Sequence, residues 1–308
     1  MKKHIEVRKL IITTGLLLVF TSGLFASGEP DTEKKKVYTK SYAIGSNDKV
    51  TIDNQFGEVK IITWSKAEVQ TDVTIIARGS SDQRAQEILD HINIEDGKNS
   101  DGVYFKTNMK NQNTKGKGEH NQKMEINYEV HMPAGNPLDL ENAFGATNVP
   151  DMTGPVVLTQ KFGDLVAGNL GNAKEIRVEF GSIIVDNVSN CKMVIKFSKA
   201  EIKKMSGNIK LNFEYCEKVK LKLDNSVTDL NINNSFSEIQ IAVVSGYGGD
   251  FDIHTSFSDL KNGSALGIKE EKDDDEHGPK FDKDYTGKTG NGTNKVKIKS
   301  SFGQIKFI

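Results

Sequence analysis

One short pattern recurs through this chain: apolar-x-apolar-x-small polar-x-Phe, then Gly or Ser, then x-apolar-x-apolar. Its copies centre on Phe56, Phe144, Phe162, Phe180, Phe197, Phe213, Val227, Phe236, Phe257 and Phe302, and from Phe144 to Phe213 they follow every 16 to 18 residues. A unit this short cannot bury its apolar face alone, so it must stack on its neighbours. The expected fold is all-β: a parallel β-helix-like solenoid with a small N-terminal cap of strands and one helix. An antiparallel sandwich is the competing arrangement, but it has no reason to repeat one Phe-Gly step at every second strand.

Within each copy, apolar residues at alternate positions mark a strand with one buried face, as in Val156-x-Leu158-x-Gln160-x-Phe162. Inward residues lie at even offsets before the Phe and at odd offsets after it, so the alternation slips and a corner must follow each Phe. Gly57, Gly145, Gly163, Gly181 and Gly303 stand at that slip, where a backbone free to take positive φ is useful, although Ser198, Ser237 and Ser258 share the place. Two residues before the Phe stand Asn54, Asn142, Gln160, Asn225, Asn234, Thr255 and Ser300, side chains that can bond layer to layer. Phe162, Phe180, Phe197, Phe236 and Phe257 are expected to stack in or beside one continuous core, one buried aromatic per layer.

The rest of the chain divides around these repeats. Residues 1–28 have a basic start, an apolar run from Leu10 to Phe25 and small residues at Ala26 to Gly28, the order of a secretory signal peptide. An uncleaved membrane anchor is the alternative, but Thr13, Thr14, Gly15, Thr21, Ser22 and Gly23 dilute the run. Residues 29–36 read as a polar tether, residues 37–135 as the β-rich cap, and residues 136–308 as the repeats. Ser81 can cap a helix over about residues 80–92, where Ala85, Ile88, Leu89 and Ile92 recur at helical spacing. Lys110 to Lys123, and roughly Ile268 to Asn294 within a charged insertion over about residues 262–294, have little to bury and read as mobile loops. Phe302 to Phe307 is expected to finish the stack, covered by that insertion or paired with another molecule.

Without residues 1–28, 37 basic groups face 41 acidic ones, a balance that does not favour nucleic acid or an anionic membrane surface. Cys191 and Cys216 fall at comparable places in different layers, too far apart to bridge, and read as packed thiols.

The step Tyr128-Glu129-Val130-His131-Met132-Pro133-Ala134-Gly135, ahead of Phe-Gly repeats in an exported chain, resembles the bacterial putative adhesins with adhesin-like or auto-transporter-head-like domains. The resemblance covers roughly residues 37–308 and is strongest from Tyr128 to Asn190. It implies the solenoid fold and transfers no catalytic or binding residue.

Sites with chemistry are sparse. Glu58, Asp164, Glu238 and Asp259 share one repeat position and align as carboxylates, but Ala146, Ser182, Lys199 and Gln304 also occupy it, as on a solvated face. Asp282-x-Asp284-x-Thr286-Gly287 resembles the start of a calcium loop, yet its twelfth position is Thr293 instead of Glu, so Asp282 and Asp284 are weak metal candidates. The acidic run Asp273 to Glu276 with His277, within Lys269 to His277, could hold a divalent ion weakly but reads as a charged, mobile loop. Gly287-Lys288-Thr289 mimics a phosphate loop without the Gly that should stand at Asp282. The six His share no ligand spacing, and neither a Gly-x-Ser-x-Gly elbow nor a Cys-x-x-Cys pair is present. Trp64 and Tyr247 could offer faces to sugars, but lone aromatics near strands more often pack.

The sequence therefore reads as a secreted or cell-envelope interaction protein of adhesin type. It is expected to be non-catalytic, without cofactor and without a membrane span once the leader is removed, facing a glycan or protein ligand from the periplasm, the outer surface or outside the cell. A carbohydrate-active β-helix enzyme, lyase-like or hydrolase-like, and a periplasmic envelope-stress component are the alternatives.

Overall fold

A computed structural model of the protein describes residues 32–109, 123–264, 266–271 and 281–308. The leader, the start of the tether, nearly all of the Lys110 to Lys123 loop and most of the acidic run lie outside the described residues. The described chain is all-β with one helix.

The N-terminal region comprises β1 (Thr32–Ala43), β2 (Lys49–Gln55), β3 (Val59–Trp64), β4 (Glu68–Gly79), α1 (Asp82–His91), β5 (Ile92–Asn99), β6 (Gly102–Met109) and β7 (Lys123–Pro133). The middle comprises β8 (Leu138–Ala143), β9 (Thr147–Val149), β10 (Val156–Lys161), β11 (Asp164–Leu170), β12 (Ala173–Glu179) and β13 (Ser182–Ser189). It continues with β14 (Lys192–Lys196), β15 (Lys199–Ile202), β16 (Met205–Glu214) and β17 (Lys218–Leu223). The C-terminal region holds β18 (Val227–Ser235), β19 (Glu238–Val243), β20 (Gly249–Ser256), β21 (Asp259–Asn262), β22 (Ile268–Glu270), β23 (Asp282–Lys288), β24 (Asn294–Ser301) and β25 (Gln304–Phe307). Strand β1 begins at Thr32, inside the stretch read as a tether.

Through the middle, strands before a Phe corner pair in parallel with one another, and strands after it do the same. Thus β8, β10, β12, β14 and β16 form one row, and β9, β11, β13, β15 and β17 the other. Alternate Val, Ile and Leu side chains of both rows enter one continuous buried cluster. The row positions follow from the period-2 pattern: in β10, Val156, Leu158 and Gln160 are buried while Val157, Thr159 and Lys161 are partly open.

At the N-terminal end the parallel rows give way to antiparallel strands. Strand β4 pairs with β7 and β1, β5 pairs with β6, and α1 turns Ala85, Ile88 and Leu89 inward. Ser81 caps that helix by accepting from the Arg84 backbone N–H at 3.2 Å. The phenols of Tyr38 and Tyr42, both on β1, donate to the two carboxylate oxygens of Asp96 on β5, tying the two rows together.

The C-terminal region departs from chain order. Strand β24 lies between β18 and β20, parallel to both, and β25 lies between β19 and β21 in the same way. The segment read as the finishing layer is therefore interior. Beyond β20 lies β23, antiparallel to it, and then β22, so the described part of the insertion is paired strand where the sequence suggested a mobile loop.

Candidate functional site

The corners carry the most unusual feature of the surface. At each one the Phe itself adopts the left-handed conformation, with φ between 48° and 64°, at residues 56, 144, 162, 180, 197, 236, 257 and 302. Tyr215 does the same with φ 52°. The glycines after them have ordinary φ, which corrects the expectation that Gly supplies the turn. Gly is needed there for closeness: a Cβ on Gly145, Gly163 or Gly181 would sit 1.9 to 2.0 Å from the carbonyl oxygen of the corner Gly one layer earlier. Where Ser198 replaces Gly, its hydroxyl accepts from the Gly181 N–H at 3.1 Å and donates to the Lys196 carbonyl at 2.6 Å.

A left-handed Phe points its ring away from the core, so the rings do not fill the interior. From Tyr215 and Phe236, each 45% exposed, to Phe257 at 53%, they stand half in solvent, except for Phe56, which is more covered. This overturns the burial expected of Phe162, Phe180, Phe197, Phe236 and Phe257, although the rings do stack beside the core. Two repeat centres are also corrected. Phe213 and Val227 are buried strand residues, and Tyr215 with Cys216 makes the corner between Phe197 and Phe236. The cue lay in Leu211-x-Phe213-x-Tyr215-Cys216, apolar-x-apolar-x-aromatic-small, which keeps the layer spacing better than a corner at Phe213.

Because strands of a row lie about 4.8 Å apart, rings fixed at equivalent corners must stack at that spacing. They do, in the order Phe56, Phe144, Phe162, Phe180, Phe197, Tyr215, Phe236, Phe302, Phe257 and Phe281, with centroids 4.6 to 5.1 Å apart. All but the last pair are within 7° of parallel. Nine such steps make an aromatic ridge about 40 Å long. Each corner N–H also donates to a carbonyl of the adjacent layer, as Phe162 does to Glu179 at 2.9 Å and Phe302 to Ser256 at 3.0 Å. Stacking, at about 0.5–1.5 kcal/mol per pair, and these bonds offset a left-handed penalty of about 1–2 kcal/mol per corner.

Beneath the ridge runs a buried polar row. The Thr107 hydroxyl donates to Asn54, the Asn54 amide to Asn142, and the Asn142 amide to the Thr147 hydroxyl, which donates to Gln160, all within 2.5 to 3.2 Å. Val178, Ile195 and Phe213 then take the same place, and the row resumes where the Asn234 amide donates to Ser300 at 2.9 Å. Asn225 belongs to a different corner, accepting from the Gly248 N–H at 3.0 Å.

Beside the ridge, on the strands before the corners, lies a shallow depression of about 450 Å³ around Asn212, Asn233, Lys196, Glu214, Lys299 and Ser301. Short side chains make it: Val194 occupies an outward position yet is buried under its longer neighbours. The Asn233 amide donates to Asn212 at 2.9 Å, and Lys196 pairs with Glu214 at 2.7 Å. The Tyr215 ring stands at this level of the ridge, one residue after Glu214.

The other candidate residues separate. Asp164 accepts from the Ser182 hydroxyl at 2.6 Å and Glu58 from the Asn148 amide at 2.7 Å, neither in an enclosed cleft with an Arg. Asp282 and Asp284 lie on strand β23 instead of a loop, and Asp284 meets the His254 imidazole at 2.8 Å. Among the described residues no three His, Cys, Asp or Glu side chains are placed to hold a metal ion. Tyr247 is buried, and its burial raises the phenol pKa well above the ordinary range. Trp64 has His131 5.2 Å from its ring and the Lys66 ammonium 4.5 Å away, so neither ring is an open platform for sugar. Cys191 and Cys216 are free and buried, and desolvation pushes the Cys191 thiol up to about 12 and raises Cys216.

No protein-family model matches the chain, and no curated protein matches it in sequence. Among solved structures it is similar to a putative cell adhesion protein from Clostridium sporogenes ATCC 15579, at 12% identity over 89% of this chain and 99% of that one, TM-score 0.27. A putative adhesin from Bacteroides fragilis NCTC 9343 matches at 13% identity over 89% and 97%, TM-score 0.37. A putative lipid binding protein from Parabacteroides distasonis ATCC 8503 matches at 12% over 88% and 96%, TM-score 0.36. At these identities and scores the likeness assigns neither family nor function. Among the described residues, no helix is long and apolar enough to cross a membrane.

Proposed function

We propose that the protein is a non-catalytic interaction protein, exported to the cell envelope or surface, built as a two-rowed parallel β-solenoid that meets a protein ligand along its aromatic ridge. The observation that carries this reading is the ridge itself: ten rings in one unbroken column, nine of them held half-exposed and Phe56 more covered. A contiguous apolar strip of this length is more than soluble monomers ordinarily leave open.

The orientation of the rings favours a protein over a glycan. Each interior ring has both faces covered by its neighbours, so only edges point outward. Sugars and cations stack on faces, whereas ring edges carry the positive end of the quadrupole and suit apolar groups and carbonyl oxygens. The depression beside Tyr215 adds amide, ammonium and hydroxyl groups for polar contacts at the rim of such an interface.

The test is a binding screen of residues 29–308 against purified matrix proteins and a glycan array, run beside a variant carrying Phe162→Asn, Phe180→Asn and Phe197→Asn. Asn tolerates the left-handed corner, so the variant keeps the backbone while losing the apolar strip. The expected result is a protein ligand bound by the parent and weakened at least tenfold in the variant. Equal binding by both would remove the ridge, and glycan binding without protein binding would overturn the ligand class.

A further inference from the structure

The topology of the C-terminal region leaves one layer to be filled out of order. The chain lays down β18 and β19, skips a layer, lays down β20 and β21, leaves through β22 and returns along β23. It then crosses over β20 through Thr289 to Thr293 and fills the skipped layer with β24 and β25. Strand β18 does not pair with β20, nor β19 with β21; residues 294–308 join them.

Both walls of that layer are strand edges in register with the segment. Ser235, Ser301 and Ser256 align in one row, and Glu238, Gln304 and Asp259 in the other. The segment brings Val296, Ile298, Ile305 and Phe307 to the core and Phe302 to the ridge, 4.9 Å from Phe236 and 5.0 Å from Phe257. It also places the Ser300 hydroxyl within 2.9 Å of the Asn234 amide and 2.7 Å of the Ser258 hydroxyl. Without it, the walls are two facing pairs of open edges over an emptied core layer, which is the geometry that accepts an added strand.

From this arrangement we infer that the skipped layer is a strand-accepting slot, and that its second occupant is residues 294–308 of another copy of this chain. A second copy carries the same apolar rows, the same Phe and the same Gly303, whose missing Cβ leaves room 2.4 Å from the Ser237 carbonyl oxygen. All contacts of the filled slot are therefore preserved in the exchanged form, and the two states differ chiefly in the crossover. That crossover is five residues, with Gly290 and Gly292 at positive φ, fastened mainly by Thr289 to the backbone of Tyr247 and Gly249. The inference is independent of the ridge as a ligand surface.

The register supplies the test. Asn233 and Lys299 face each other across β18 and β24, both exposed, at a spacing a disulfide can close. Full-length Asn233→Cys protein and full-length Lys299→Cys protein are mixed at high concentration, unfolded and refolded together under reducing conditions, then oxidised. The in-register heterodimer forms only when one copy's segment sits in the other's slot. It is expected at least tenfold above the heterodimer from Asn231→Cys with Lys299→Cys, a pair two residues out of register. Yields equal to that control would overturn the inference. A double variant, Asn233→Cys with Lys299→Cys, is expected to close an internal disulfide when refolded dilute; failure to do so would remove the slot itself.

Discussion

The middle of the molecule, β8 to β17, and its C-terminal region, β18 to β25, are written in the same sequence pattern and assembled by different rules. In the middle, from β10 on, each strand pairs with the equivalents one repeat before and after it in the chain, whereas β8 and β9 reach back to β2 and β3, 88 residues earlier. In the C-terminal region, β24 pairs with β18, 66 residues earlier, as well as with the β20 that precedes it in the chain. The difference teaches that the pattern specifies a layer and leaves the order of layers open. Any segment with alternating apolar residues, a left-handed aromatic and a small residue after it presents the same two edges.

The largest expected effect tests whether the out-of-order layer is as integral as the ordered ones. Phe307 is fully buried, 5.8 Å from Phe251 edge to face, and Phe307→Ala should cost about 3–5 kcal/mol in urea unfolding, comparable to Leu158→Ala in the middle. A loss under 1 kcal/mol would mean that the inserted layer opens before the rest unfolds. Next comes Gly181→Val, whose Cβ meets a backbone oxygen at 1.9 Å that cannot retreat without moving a layer. It should cost about 3 kcal/mol. A melting temperature unchanged by it would show that the layers slide freely.

The ridge should be less sensitive. Phe180→Ala removes two stacking contacts but leaves an already half-exposed site, so about 1–2 kcal/mol is expected in the same urea titration. Phe180→Gly should cost less than Phe180→Ala, because Gly also relieves the left-handed corner at φ 59°. The reverse order would mean that the corner is not strained.

The effect that is smallest at neutral pH is alkaline. Cys191 ionises near 9 when exposed and near 12 when buried in the stack, so the folded form holds its proton where the unfolded chain does not. Its contribution is complete below pH 9 and declines as pH rises through 9 to 12. Cys191→Ala should flatten that decline in the urea midpoint, and an unchanged slope would place the loss elsewhere, with Cys216 the next group to replace.

Much of this was legible in the residues, and the misses share a cause. Helix α1 was readable from Ser81 and the apolar spacing of Ala85, Ile88 and Leu89, all local signals. The buried row Asn54, Asn142 and Gln160 was readable because polar side chains at one repeat position meet their equivalents once strands lie in register. The corner Phe was misplaced because hydrophobicity alone assigns a ring to the core. Its outward direction follows from a φ sign that no composition rule reports. Tyr215 was missed because the repeat through β16 and β17 stretches, and Phe213, two residues away, fits the apolar pattern inside the strand.

By itself the sequence determined an all-β chain with one helix and alternating buried residues, because period, caps and strand propensity act over a few residues. Only the tertiary structure decided that the stacked aromatics face outward as a ridge and that residues 294–308 fill a layer skipped earlier. Both depend on which edges meet in space: stacking at about 4.8 Å exists only once strands are paired, and equivalent edges give the chain no local signal of which neighbour to choose.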